Sequence, residues 1–121
     1  MKITQDKAIM GYRALLGLGE KVTGSTAFDL FLLKGELKTV FDFRVEEENK
    51  LIDKCGGKMT EEGRVIFADP KKRILFEKES AELDKMEHEI KNEVTILLSA
   101  APTITMQEIE ALDGIVTFKK G

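Results

Sequence analysis

The sequence predicts one α+β domain of 121 residues, rich in helix. Three observations predict it. A run of about thirty residues, Ser25 to Lys54, keeps apolar residues at helical spacing. Two short β-rich runs, Val94 to Leu98 and Ile115 to Phe118, flank a helix-opening Thr105-Met-Gln-Glu108. No composition break or low-complexity tract divides residues 1–121, and the length suits a single domain.

In chain order, Met1 to Thr4 reads as a short strand or entry loop. Thr4 is a good N-cap, with Asp6 in the first turn. Ile9, Tyr12, Leu15 and Leu16 then mark a first helix, which Gly17 and Gly19 end. Ser25 is expected to cap the long second helix. Leu30, Leu33, Leu37, Val40, Phe41, Leu51, Ile52 and Cys55 share one stripe on it. Phe28, Leu32 and Phe43 fall on the opposite side, with the small Gly35 and Thr39 between them. Gly56-Gly57 stops this helix. A hairpin centred on Glu61-Glu62-Gly63 follows, and Asp69-Pro70 opens a third helix as N-cap and N1. Phe76, Glu79, Leu83, Met86 and Ile90 form a coiled-coil-like seam, so this helix is expected to run to about Asn92. The expected architecture is two long antiparallel helices linked by the hairpin. The short first helix and a small C-terminal β-α-β segment pack on them.

Composition narrows the functional classes. With 22 acidic and 19 basic residues the formal net charge is −3, without the basic excess of a nucleic-acid binder. The first residues lack the apolar core of a signal peptide, and no apolar run approaches the roughly 20 residues of a membrane span. The single cysteine, Cys55, permits no internal disulfide and suits a reducing compartment, so a cytoplasmic location is expected.

Few residues suggest chemistry. Gly19 to Thr26 resembles a phosphate-binding loop, but Ser25 stands where the phosphate-binding lysine belongs, and a helix precedes it where a strand is needed. Gly24, Ser25 and Thr26 retain only the general affinity of a helix start for anions. His88 is the lone histidine and reads as a solvated residue beside the seam; Cys55 reads as a small buried one. Glu46-Glu47-Glu48 cannot converge on one ion, because neighbours on a helix point about 100° apart. They read as a solvated acidic face. Glu79 sits at a seam position where a polar group sets register or partner choice. No catalytic, metal or cofactor residues are assigned.

The order Tyr12-Arg-Ala-Leu-Leu16, Glu48-Asn-Lys-Leu-Ile-Asp-Lys54, Thr60-Glu-Glu-Gly-Arg-Val65 and Asn92-Glu-Val-Thr-Ile96 resembles a family of small uncharacterised proteins of phages and prophages of Gram-positive bacteria. The pattern covers about residues 5 to 112, and the closing Ile115 to Phe118 departs from it. The family has no established catalytic residues. The resemblance implies a phage gene product acting inside an infected cell.

The expected function is a non-enzymatic accessory protein that binds and blocks a host macromolecule, such as a component of antiviral defence. An acidic face including Glu46, Glu47 and Glu79 suits competition for a basic surface. One alternative is an assembly or virion component acting by self-association. Another is a binder of a nucleotide signal at Gly24 to Thr26. Self-association is expected through Phe28, Leu32, Gly35, Thr39 and Phe43, because a first helix of about 20 Å that covers Phe28 and Leu32 does not also reach Phe43, about 22 Å further along. Coverage of that face by the C-terminal strands is the competing arrangement. For the phosphate-loop resemblance the expected outcome is negative: isothermal titration with ATP shows no saturable binding through residues 19–26. Binding that disappears in Ser25→Ala or Gly24→Val would reverse this reading.

Overall fold

The computed structural model describes all residues 1–121. Strand β1 (Lys2–Thr4) leads directly into helix α1 (Gln5–Leu18). The Thr4 side chain accepts from the Lys7 amide, giving the predicted cap. Gly19 closes α1 at φ +55°, a conformation that glycine adopts without a Cβ penalty. A single 3-10 turn, Gly19–Lys21, joins it to helix α2 (Gly24–Lys54).

The residue capping α2 is Thr23, not Ser25, which lies inside the first turn; the Thr23 side chain makes no capping hydrogen bond. At 31 residues α2 is about 46 Å long, more than the ~35 Å diameter of a compact chain of this size. One side of its first half therefore carries the core and its second half projects beyond it. Leu30, Leu33, Leu37 and Val40 are buried along that side. They meet Ala8, Leu15 and Leu18 of α1 and a C-terminal layer of Ile90, Val94, Ile96, Leu112, Ile115 and Val116. Gly11 marks the closest approach: a Cβ there would stand 2.3 Å from Ile115 Cδ1 and 3.4 Å from Leu37 Cδ1.

Beyond Cys55, strands β2 (Lys58–Met59) and β3 (Val65–Ile66) pair antiparallel, with Gly63 at φ +83° in the turn. Helix α3 (Pro70–Lys85) starts with the Asp69 side chain accepting from the Lys71 amide and Pro70 in the first turn. It ends at Lys85, several residues before the expected Asn92. Strand β4 (Glu87–Glu89) takes over and pairs antiparallel with β1, Ile3 opposite His88. Met86 and Ile90 therefore leave the helical seam, and Ile90 joins the main core. α3 is also only 16 residues long and buries none completely. At the far end Ile52 and Cys55 are buried outside the main core, and Phe67 of the segment after β3 stands against Phe76 of α3 as a tilted ring pair.

The chain closes with β5 (Val94–Leu97), helix α4 (Met106–Leu112) and β6 (Val116–Lys119). β5 and β6 lie parallel with Val94 opposite Val116. Thr105 and Glu108 form the capping box at the start of α4. Glu108 also accepts from Lys21 at 2.7 Å, tying α4 to the turn before α2. No helix is long and apolar enough to cross a membrane.

Leu37 is fully buried whereas Leu83 is only half-buried. Leu37→Ala is expected to cost about 2–5 kcal/mol and Leu83→Ala under about 2 kcal/mol, both read from urea denaturation. Equal costs would show that α3 is packed as tightly as the main core.

Candidate functional site

The outer face of α2 is where the sequence places an interaction surface. Phe28, Phe31 and Leu32 are 61%, 63% and 40% exposed. The Phe28 and Phe31 rings lie stacked, 6.4 Å apart. Helical spacing of three and four brings these side chains together, and the core stripe on the opposite side leaves them to solvent. Phe31 also borders a cleft between α1 and α2, with Leu15, Leu18, Val22 and Leu30 as its apolar walls and Lys34 at its mouth. Gly35 continues the face without a side chain: a Cβ placed there would stand in open space. Thr39 is exposed, its hydroxyl donating to the Gly35 carbonyl at 3.2 Å.

Phe43 does not share this face. It is half-buried, and its ring lies edge-on to His88, 5.7 Å away. His88 is correspondingly not the solvated helical residue expected. It sits on β4, half-buried, and its Nε2 donates to Oε1 of the fully buried Gln5 at 2.9 Å. The β1–β4 pairing creates this contact, and the separation of 83 residues between Gln5 and His88 hides it from any local pattern.

The acidic residues divide. Glu46 and Glu47 share Lys50, at 3.7 and 3.2 Å. Hydrogen bonding to Glu47, reinforced by both carboxylate charges, raises the Lys50 pKa. Glu79 pairs with Lys54 across the α2–α3 contact at 3.0 Å, so its seam position serves an ion pair. Arg44, missed in the sequence reading, is the deepest charge here. Its side chain is 13% exposed, its guanidinium donates to Asp84 of α3, and Glu48 stands 3.7 Å from its Nε. Arg44 recurs one turn before Glu48 on the helix, the only local sign of the pair. Arg44 Nε, Gln5 Nε2 and Ser80 Oγ are buried without a hydrogen-bond partner.

At the start of α2, Gly24 and Ser25 are exposed and Thr26 is half-buried. The preceding segment is the helix α1 with its 3-10 turn, so the strand-to-loop geometry of a phosphate loop is not formed. Lys21, the nearest cation before the helix, is engaged by Glu108. No three His, Cys, Asp or Glu side chains converge where they could hold a metal ion.

Glu36 has a different role. Its carboxylate accepts from the Lys91 amide at 2.9 Å, from the Asn92 amide at 2.7 Å and from the Asn92 side chain. It thereby pins the β4–β5 turn to α2. Burial pushes its pKa up, but the two amide donors, the Asn92 side chain and the Lys91 charge together hold it below the ordinary glutamate value.

No protein-family model, curated protein or solved structure matches the chain.

The Glu36 carboxylate is more acidic folded than unfolded. Its contribution to stability is therefore full above the unfolded glutamate pKa and is lost as pH falls through the lower folded value. Glu36→Gln is expected to be less stable at neutral pH and to lose less stability between neutrality and that acidic range. Urea midpoints across pH check this; parallel curves for the two proteins would refute it.

Proposed function

We propose that this protein is a non-enzymatic binding protein whose aromatic face on α2 engages the surface of a host macromolecule and blocks it. The observation that carries the reading is the exposed group Phe28, Phe31 and Leu32 beside the α1–α2 cleft. Large aromatic side chains held in water gain about 25 cal/mol for each Å² of apolar surface covered by a partner. They are fixed on a rigid helix, so little conformational entropy is lost when they bind. Gly35 and Thr39 extend the contact area and let a partner backbone approach closely.

The resemblance to small phage proteins supports a setting in the cytoplasm of an infected bacterium, with a component of host defence as the target class. A second reading, self-association of phage components through the same face, is favoured by the open space over Gly35 next to the exposed Leu32, where a second helix can come close. Both readings place the contact on Phe28, Leu32, Gly35 and Thr39; Phe43 is set aside because His88 covers it.

A tagged pull-down from a Gram-positive host, quantified by mass spectrometry, tests the first reading. Wild-type protein is expected to retain a host protein in near-stoichiometric amount. Phe28→Glu/Phe31→Glu is expected to reduce retention by at least about tenfold with unchanged circular dichroism, as the loss of an interface anchor does. Equal retention by the variant would refute the assignment of this face. Light scattering behind a sizing column tests the second reading, and a monomer mass at tens of micromolar would exclude it.

A further inference from the structure

The second half of α2 and the facing side of α3 enclose a groove of about 380 Å³. Its floor is apolar: Leu51 of α2, Leu83 of α3 and Met86 just past the helix end. Leu51 and Leu83 are half-buried and Met86 is 41% exposed, so the floor is open to solvent. Every other lining residue is a glutamate: Glu47 on one wall, Glu79 and Glu82 on the other. The two lysines that approach do so from the margins. Lys50 sits one turn on from Glu47 at 3.2 Å, and Lys54 reaches Glu79 at 3.0 Å. Both lysines are about 60% exposed or more, and neither lines the groove. Glu82 is exposed and has no cation within salt-bridge distance among the pairs formed by α2 and α3.

An apolar floor between walls of one charge sign selects its occupant. A neutral apolar segment would bury Glu82 without a partner, which costs several kcal/mol for an unpaired charge, and would strip water from the Lys50–Glu47 and Lys54–Glu79 pairs. An acidic segment or a nucleic-acid backbone would meet like charge. A segment carrying Lys or Arg on both sides of an apolar stripe satisfies floor and walls together. The flexible thioether of Met86 adapts to differing apolar side chains, as methionines do in grooves that accept amphipathic helices.

We infer that the α2–α3 groove is a docking site for a cationic amphipathic segment of a partner protein. Its apolar side chains seat on Leu51, Leu83 and Met86, and its basic side chains meet Glu47, Glu79 and Glu82. This surface is separate from the aromatic face: Glu47 lies about 24 Å further along α2 than Phe31, and on a different side of the helix. The inference does not depend on the function proposed for that face.

The test uses the full chain and a fluorescein-labelled Leu/Lys amphipathic peptide, read by fluorescence anisotropy, with the matching Leu/Glu peptide as control. The Leu/Lys peptide is expected to bind saturably at one site. The affinity should fall by at least about tenfold in Glu47→Lys/Glu82→Lys and fall steadily as salt screens the contacts. Lys50 is the one salt-bridge partner those two carboxylates lose, so circular dichroism should be unchanged. Met86→Asp is expected to weaken binding as well, which a purely electrostatic attraction would not show. Phe28→Glu/Phe31→Glu should leave it intact. Saturable binding of the Leu/Glu peptide with equal affinity, undiminished binding by Glu47→Lys/Glu82→Lys, or no saturable binding of the Leu/Lys peptide would each overturn the inference.

Discussion

The buried stripe Leu30, Leu33, Leu37 and Val40 is the surface on which the rest of the molecule is assembled. α1 packs on it from one side, and the segment from Ile90 to Val116 packs on it from the other. The parallel β5–β6 pair, the β1–β4 pair and the Glu36 clamp on the β4–β5 turn all position residues against those four side chains. A helix of 31 residues is nevertheless longer than this core. The surplus length explains the projecting α2–α3 arm near its end, whereas the aromatic face near its start is the side of the core-bearing half turned away from Leu30, Leu33 and Leu37.

The arm is held differently from the core. It has Ile52 and Cys55 buried on α2 but no fully buried residue on α3, and it relies on ion pairs at Arg44–Asp84 and Lys54–Glu79. Exposed ion pairs such as the second contribute about 0–1 kcal/mol. Arg44 is more committed, because its guanidinium is largely removed from water and Asp84 supplies its direct compensation. Near it, Gln5 and His88 link the start of α1 to β4, so the base of the arm is a polar junction between three helices and a strand.

Much of this organisation was legible locally. Periodicity marked the core stripe of α2, and Gly24 and Gly56 bracketed its ends. Thr4, Asp69-Pro70 and the Thr105–Glu108 box located three helix starts, because caps are short-range chemistry. The end of α3 was not legible. Met86 and Ile90 continue a helical spacing, yet Glu87 to Glu89 form a strand because Lys2 to Thr4, more than eighty residues away, supply the pairing edge. The same long-range pairing turns His88 inward and draws Phe43 off the outer face. For the candidate surface, the sequence located Phe28, Leu32, Gly35 and Thr39 on solvent-facing helix. It missed Phe31, which stands one helical turn from Phe28 at the edge of the α1–α2 cleft. It could not locate the groove at Leu51 and Leu83, which exists only once two helices meet.

The late position of Ile90 to Val116 has a consequence for synthesis on the ribosome. α1 and the apolar stripe of α2 emerge first, while half of their cover is still unmade. From Leu37 to Val116, at ~5–20 residues per second, translation takes on the order of 4–16 s. A helical pair of this kind collapses within microseconds to milliseconds, so the nascent chain dwells as an α1–α2 hairpin with one side of Leu33 and Leu37 uncovered. During that interval the stripe destined for the interior offers a nascent-chain chaperone the same kind of apolar helical surface that the finished protein keeps at Phe28, Phe31 and Leu32.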